Sequence, residues 1–189
     1  MTAAVPRFPY TYDDYRALPE DMSRRYELLH GDFYVVPAPT TRHQQVLNNL
    51  NALVRQQVRR FQLGTVLFSP VDVILGQGDA REVVQPDLVY VATSRRDIVK
   101  LHGIEGAPDL VVEILSPGSE ERDRGYKLRM YARYGIAEYW IVDPTACTIE
   151  VYNLGPSEYS DPTRYAGNNS LWCALLHDLE ISLQEVFAD

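Results

Sequence analysis

Apolar residues recur at intervals of three or four positions across residues 41–61, and the members of this stripe are Val46, Leu50, Leu53, Val54 and Val58. Side chains at this spacing lie on one face of an α-helix, so the stripe predicts a long amphipathic helix. Thr40 or Thr41 precedes it as a candidate N-cap. We expect the helix to end near Phe61, ahead of Gly64.

Shorter apolar runs bounded by turn residues predict β-strands. Two of them flank Gly31 and predict an N-terminal β-hairpin over residues 26–36. A further strand is expected at residues 66–75, with an interruption at Pro70. The remaining strands are expected at residues 83–91, 109–115, 138–142, 149–152 and 172–176.

Capping residues predict the other helices. Thr11 is a candidate N-cap with Asp14 three positions later, so a short helix is expected to begin after Thr11. Ser119 is a candidate cap for a second helix, which is expected to run to residues 134–135. A terminal helix is expected at residues 182–187. After the hairpin, the order is helix, three strands, helix and strand. This order predicts one α/β domain over residues 1–189, with a mixed β-sheet flanked by helices.

The composition is that of a globular protein, with 189 residues, 46% hydrophobic content and a net charge of -8. No apolar run approaches the roughly 20 residues that cross a bilayer. The first 15 residues lack the apolar block of a signal peptide, so we expect a cytoplasmic protein. The negative charge argues against a protein that coats nucleic acid non-specifically, but it is compatible with carboxylates gathered around a metal.

The cysteines and histidines do not form a metal-binding pattern. Cys147 and Cys173 lie far apart, and the four histidines are scattered, so zinc spacing is absent. Both cysteines lie in apolar surroundings. We therefore expect them to be buried, reduced thiols.

Glu113 lies in the most apolar predicted strand. Because side chains alternate in a strand, Leu110, Val112 and Ile114 face one side, while Glu113 faces the other between apolar neighbours. Both faces are apolar, which is typical of a strand buried on both sides. A buried carboxylate must be paired, protonated or bound to a cation. An ion pair with an arginine therefore remains open beside a metal site.

Asp87 follows Pro86 at the beginning of the preceding predicted strand segment. Carboxylates on neighbouring strands can share one divalent cation, and oxygen ligands suit magnesium or manganese. The alternative is an ordinary Pro-Asp turn.

Lys127 is predicted to lie on the same helix face as Asp123, Met130, Tyr131 and Tyr134. This largely apolar face is expected to pack on the sheet. An inward lysine near two carboxylates can orient water or stabilise negative charge at phosphorus. The alternative is a surface pair between Asp123 and Lys127, worth only about 0.3–0.5 kcal/mol.

Taken together, these residues resemble the PD-(D/E)xK nuclease signature. The matching segments are residues 26–31, 86–89, 108–117 and 138–144, within a likeness that spans about residues 10–187. They are similar to a large, mostly uncharacterised bacterial branch of the restriction-endonuclease-like superfamily. One departure is Leu115, which stands where the usual motif has its lysine. In this branch the lysine is thought to lie on the following helix, as Lys127 does.

The resemblance implies a restriction-endonuclease-like αβββαβ core and a Mg²⁺-dependent (or Mn²⁺-dependent) endonuclease that acts on DNA. It implies Asp87, Glu113 and the backbone carbonyl of Ile114 as metal ligands, and Lys127 as the residue that positions the attacking water. A homodimer is expected by analogy with enzymes that cut both strands.

Further residues are possible members of the site. Glu27 can add a carboxylate or form a strand-end ion pair, and His43 can reach the site or serve in capping and packing. Asp72 is a weaker possibility. Tyr139 and Trp140 are expected in the core. Basic residues that can meet phosphates are Arg55, Arg59, Arg60, Arg95, Arg96 and Lys100.

Two other functions remain open at this point. One is a nuclease fold with weak or no catalytic activity that acts through binding or a partner protein. The other is hydrolysis of a different phosphate ester at the same site.

Overall fold

The computed structural model describes residues 9–19 and 25–189. Helix α1 (Tyr12–Arg16) has Thr11 as its N-cap, and Thr11 and Asp14 form the expected reciprocal capping box. The predicted hairpin is confirmed: strands β1 (Arg25–Leu29) and β2 (Asp32–Val36) are antiparallel around Gly31, which has a positive φ. Helix α2 (Thr41–Phe61) is capped by the Thr40 side chain, which accepts from the backbone of His43.

The remaining strands, in chain order, are β3 (Gly64–Phe68), β4 (Val73–Leu75), β5 (Glu82–Val84), β6 (Leu88–Ala92), β7 (Val99–Lys100), β8 (Gly103–Glu105), β9 (Leu110–Ile114), β10 (Glu138–Asp143), β11 (Thr148–Asn153), β12 (Thr163–Ala166), β13 (Ser170–Cys173) and β14 (Leu179–Ser182). Between β9 and β10 the chain forms α3 (Glu120–Arg122), a π-helical turn (Asp123–Lys127) and α4 (Leu128–Arg133). Helix α5 is Leu183–Val186.

Two sheets dominate the described residues. The main sheet has the order β12-β11-β10-β9-β6-β3, and the second sheet has the order β2-β1-β5-β4-β8-β7. In the main sheet, β9 and β10 are parallel and the other pairs are antiparallel, so the predicted mixed sheet is confirmed.

Two sequence predictions about strands were incomplete in the same way, although the interruption predicted at Pro70 is confirmed. Residues 66–75 and 83–91 do not form single strands, because each segment crosses from one sheet to the other near a proline, Pro70 or Pro86. Proline has no backbone N–H and cannot continue a hydrogen-bonded ladder. The second of these crossings brings the beginning of β6 close to the hairpin.

The main sheet separates two layers of core. Leu110, Val112 and Ile114 face the buried stripe of α2. Val111 and Leu115 face the opposite layer, where Met130 and Tyr131 of α4 lie. The alternation predicted for β9 is therefore confirmed. Tyr139 and Trp140 of β10 are fully buried, which confirms that they belong to the core.

Several local predictions need correction. The helix expected from Ser119 to residue 134 exists, but it contains the π-helical turn, and the Ser119 side chain makes no capping hydrogen bond. The strand expected at residues 172–176 is β13, which ends at Cys173 before a short helical turn. Both cysteines are free; Cys173 is buried as expected, whereas Cys147 is only half-buried because it lies in a turn.

The helices of the described residues include none that is long and apolar enough to cross a membrane.

Leu110 tests the assignment of β9 to the core. Its side chain is fully buried, so the substitution Leu110→Ala should lower the free energy of unfolding by about 2–5 kcal/mol. Leu101, which is 90% exposed, is the matched control, and Leu101→Ala should change it by less than about 0.5 kcal/mol. Urea denaturation measures both. Equal effects of the two substitutions would contradict the assignment.

Candidate active site

Asp87, directly before β6, and Glu113, on the neighbouring strand β9, lie close together at one end of these strands. Strands β6 and β9 pair antiparallel with Leu88 opposite Val112, so the next position along this register brings Asp87 opposite Glu113. Asp87 also contacts β9 directly, since its Oδ2 accepts a 2.7 Å hydrogen bond from the backbone N–H of Ile114. Asp87, Glu113 and Ile114 all line the same small cavity.

Lys127 reaches this cavity from the π-helical turn, and its side chain is almost completely buried. Its Nζ lies 2.9 Å from Oε1 of Glu113 and 2.8 Å from Oε1 of Glu27. A third carboxylate, Asp123 Oδ1, is 3.4 Å away. The Asp123–Lys127 pair therefore exists, but the alternative of a surface pair is wrong because both side chains are buried.

Glu27 joins the site from strand β1. Besides its contact with Lys127, its Oε1 accepts a 3.0 Å hydrogen bond from the backbone N–H of Gln85, just ahead of Pro86. The hairpin and the start of β6 are thus tied together through one buried carboxylate. The sequence left open whether Glu27 forms an ion pair, and the structure shows that it does. Its partner is Lys127, and the pair is buried among the other carboxylates of the cavity.

His43 contacts Asp87 from the first turn of α2. Its Nε2 lies 3.0 Å from Asp87 Oδ1, and its backbone N–H is satisfied by the capping side chain of Thr40. The two oxygens of Asp87 are therefore fixed by different partners, His43 on one side and Ile114 on the other. Asp87 therefore makes contacts with other residues of the cavity that an ordinary Pro-Asp turn would not require.

Burial shifts the proton equilibria of this cluster. Burial raises the pKa of Glu113 well above its usual range; Lys127 opposes this shift, and the nearby carboxylates of Asp123, Asp87 and Glu27 add to it. The pKa of Asp123 is also raised, first by burial. For Lys127, burial alone would lower the pKa, but Glu113, Glu27 and Asp123 outweigh it, so the pKa is raised and the ammonium form is retained.

Tyr131, one turn beyond Lys127, contributes a buried hydroxyl. It donates a 2.7 Å hydrogen bond to the same Glu113 oxygen that contacts Lys127. Burial and the adjacent Glu113 carboxylate raise the pKa of this phenol well above its usual value, so it remains a donor. The partners of Glu113 are therefore Lys127 and Tyr131, and not an arginine as one alternative proposed.

The cavity has a volume of about 50 Å³, which is room for roughly one or two water molecules or an ion. Five buried side-chain atoms of the described residues have no hydrogen-bond partner. Four of them belong to residues that line this cavity: His43 Nδ1, Gln85 Oε1, Arg122 Nε and Asp123 Oδ1. Buried polar atoms are rarely left unpaired, so this cavity is suited to water, a cation or another polar ligand.

The donor set fits a divalent cation of the magnesium type. Four carboxylates line the cavity (Glu27, Asp87, Glu113 and Asp123), and they outnumber the three cationic side chains that line it, Arg25, Arg122 and Lys127. Carboxylate oxygens are the ligands that hard divalent cations prefer. In the described part of the chain, no three His, Cys, Asp or Glu side chains form a metal-type cluster. The Lys127 ammonium contacts both Glu27 and Glu113.

Other residues named from the sequence lie elsewhere. Asp72 accepts hydrogen bonds from Tyr15 and Gln85 and does not line the cavity. Arg95 is bonded to Asp109 and to the carbonyl of Ala107. Arg59 is near the far end of α2, about 24 Å along the helix from His43. Arg55, Arg60, Arg96 and Lys100 are exposed and do not line the cavity either.

Sequence reasoning missed two polar contributors. Gln85, beside the Pro86 crossing, and Arg122, beside Asp123, both line the cavity. Arg122 carried no local signal, because its position depends on how the hairpin packs against the helical segment. Tyr131 was placed on the correct helix face, but its hydroxyl contact was not predicted.

Comparison with known proteins agrees with this architecture. A crystal structure from Anabaena variabilis, described as a "putative nuclease belonging to DUF820", superposes with a TM-score of 0.79 at 20% identity, covering 95% of this chain and 98% of that chain. This likeness confirms the predicted restriction-endonuclease-like fold class. A protein of Synechocystis sp., described as uncharacterized, is 27% identical over 157 residues, which are 81% of this chain and 80% of that protein.

The family comparison covers nearly the whole chain. Residues 12–184 match the model of the Uma2 family, whose description is "Putative restriction endonuclease". The match includes the hairpin, the strands that carry Asp87 and Glu113, and the helical segment that carries Lys127. The resemblance inferred from the sequence is confirmed, and the chain belongs to the Uma2 family.

Proposed function

We propose that this protein is a divalent-cation-dependent endonuclease that hydrolyses phosphodiester bonds in DNA. The observation that carries the proposal is the small cavity in which carboxylates outnumber cationic side chains and four buried polar atoms make no hydrogen bond. In this proposal Asp87, Glu113 and the backbone carbonyl of Ile114 hold Mg²⁺ or Mn²⁺. The family description supports a nuclease, and the choice of DNA and of magnesium is our inference.

The roles of the side chains follow from their contacts. When bound, the cation supplies positive charge that stabilises the charge developing on the phosphate oxygens. His43 and the Ile114 N–H fix the orientation of Asp87, and Tyr131 fixes Glu113. Such support keeps ligands in place before the substrate arrives.

Lys127 is proposed to orient the attacking water. Its ammonium has three N–H donors and three carboxylate neighbours, and the contact with Asp123 is the longest, at 3.4 Å. The donor on that side is the one most readily offered to a water molecule. In the reaction, the water oxygen bonds to phosphorus and one phosphorus–oxygen ester bond breaks. The products are a phosphomonoester end and a free hydroxyl.

A homodimer and a cytoplasmic location stay predictions that accompany this proposal. The dimer is inferred by analogy with enzymes that cut both strands of a duplex, which commonly pair two sites. A nuclease-fold module without activity is the alternative that the experiments below separate from the proposal.

Glu113 provides the direct test of activity. Glu113→Gln keeps the shape of the side chain and an oxygen that accepts from Tyr131, but it removes a ligand charge. We expect plasmid cleavage in Mg²⁺ to fall at least about 100-fold. The control is Glu105→Gln, on an exposed residue of β8, which should cleave at the wild-type rate. If wild type and Glu113→Gln preparations degrade plasmid equally, the activity is a contaminant and the proposal fails.

Asp87 tests cation binding separately from cleavage. Calorimetry should detect Mn²⁺ binding to the wild type, and a Mn²⁺ concentration of 100 times Kd should stabilise the fold by about 2.7 kcal/mol. Asp87→Asn should weaken binding at least about tenfold, whereas Asp97→Asn, at an exposed position, should not. Mn²⁺ binding without any cleavage would favour the inactive-module alternative. No binding near millimolar Mn²⁺ would overturn the metal site.

Lys127 tests the electrostatics of the cluster. Lys127→Met leaves buried carboxylates without their central counter-charge, so we expect a loss of about 3–5 kcal/mol in the free energy of unfolding. Added Mn²⁺ should restore part of this loss. The chain has one other lysine, Lys100, which is exposed, and Lys100→Met should change stability by less than about 0.5 kcal/mol. Denaturation curves with and without Mn²⁺ measure both, and equal stabilities would contradict the assigned role.

A further inference from the structure

Arg122 lies where the small cavity meets a larger open groove. The groove has a volume of about 570 Å³ and runs between the β1–β2 hairpin and the helical segment that begins with α3. His30 and Tyr34 line it from the hairpin, and Tyr126 and Arg129 line it from the helical side. Arg122 lines both the groove and the cavity that contains Asp87 and Glu113. A ligand lying in the groove therefore meets Arg122 next to the carboxylate cluster.

One N–H group of the Arg122 guanidinium has no hydrogen-bond acceptor in the protein. Its guanidinium carbon is 5.1 Å from the centre of the Tyr34 ring, which supports the group from one face. Its Nε lies 3.8 Å from Oε2 of Glu27, beyond hydrogen-bonding distance. This Nε is buried and has no hydrogen-bond partner. A ligand oxygen that accepts from it would remove an unfavourable unpaired donor.

The other cations at the cavity are engaged in different contacts. The Lys127 ammonium is surrounded by carboxylates of Glu27, Glu113 and Asp123. Arg25 donates to the backbone carbonyl of Pro37. A guanidinium presents parallel N–H groups that match the spacing of phosphate oxygens, so Arg122 is chemically suited to a phosphodiester.

The groove does not attract anions along its whole length. Asp32 and Glu121 line it together with Arg122 and Arg129, so charges of both signs are mixed. Binding of a polyanion should therefore depend on a few specific contacts more than on a general positive field. This makes the contribution of a single arginine measurable.

We propose that Arg122 binds the scissile phosphate of a nucleic acid strand that lies in the groove between the hairpin and the helical segment. The inference rests on the proposed function, which supplies the class of ligand. It adds a substrate-binding residue and a path for the strand. Arg122 is distinct from the residues proposed to hold the cation or orient the water.

The test measures DNA binding, cleavage and cation binding on the same variants. Anisotropy of a fluorescein-labelled DNA oligonucleotide duplex, with Ca²⁺ as the cation, gives Kd, and Mg²⁺-dependent cleavage gives kcat and KM. Arg122→Ala should weaken DNA binding about tenfold or more and reduce the slope of log K against log salt by about one. Arg122→Lys keeps the charge but loses the paired donors, and should fall between wild type and Arg122→Ala. Arg164→Ala, at an exposed position of β12 that lines neither the cavity nor the groove, is the matched control.

Calorimetry with Mn²⁺ alone separates this role from a structural one. If Arg122 acts on the substrate, Mn²⁺ affinity in Arg122→Ala should be unchanged or raised, because a positive charge near the carboxylates is removed. DNA binding by Arg122→Ala equal to that by Arg164→Ala would overturn the inference while leaving the proposed function intact. A wild type that does not bind the duplex would overturn both the inference and the proposed function. Loss of DNA binding in Arg122→Ala, with a wild type that never cleaves, would support phosphate binding by Arg122 in the groove, but it would overturn the endonuclease and with it the assignment of that phosphate as the scissile one.

Discussion

The ammonium group of Lys127 joins carboxylates from separate parts of the chain in a buried place. Glu27 comes from the hairpin, Glu113 from the centre of the main sheet and Asp123 from the helical segment, and each lies within 3.4 Å of Nζ. Taking charges out of water is costly unless each is paired. The hairpin, the sheet and the helical segment are therefore held together by one polar cluster, and the candidate site exists only where these elements meet.

The π-helical turn is part of how this cluster forms. Asp123 and Lys127 are the buried residues of that turn, at its first and last positions, and both point into the space between the hairpin and the sheet. Such turns are uncommon and occur frequently at functional sites. The following helix α4 packs Met130 and Tyr131 on the sheet, which anchors the turn from its C-terminal side.

Sequence patterns were sufficient to predict the positions of those candidate site residues that depend on strand and helix periodicity. The alternation around Glu113, the Pro86-Asp87 start of the neighbouring strand and the helix face of Lys127 are each local signals, and the described structure brings all three residues to one cavity. The family and the fold class could also be predicted, because these signals occur together in one order. Whether the residues act in catalysis is a matter for the experiments described above.

The remaining features depend on contacts between segments far apart in the chain. Pro70 and Pro86 were visible in the sequence, but a proline alone does not tell whether a strand ends or crosses to a second sheet. Glu27 was left open between a site residue and an ion pair, and it is ion-paired within the cluster because β1 packs beside Gln85. Arg122 had no periodic or capping signal, since its neighbours Tyr34 and Glu27 come from the hairpin.

The same cluster connects stability with the proposed chemistry. Burial and neighbouring carboxylates raise the pKa of Glu113, which means that ionising this group is unfavourable in the fold without a cation. A divalent cation would relieve the repulsion among the carboxylates, so its binding and the stability of the fold are linked. A core filled with apolar side chains at these positions would avoid the cost. The four carboxylates around the cavity of about 50 Å³ therefore lower the stability of the free protein, and a cation bound there would restore part of that stability.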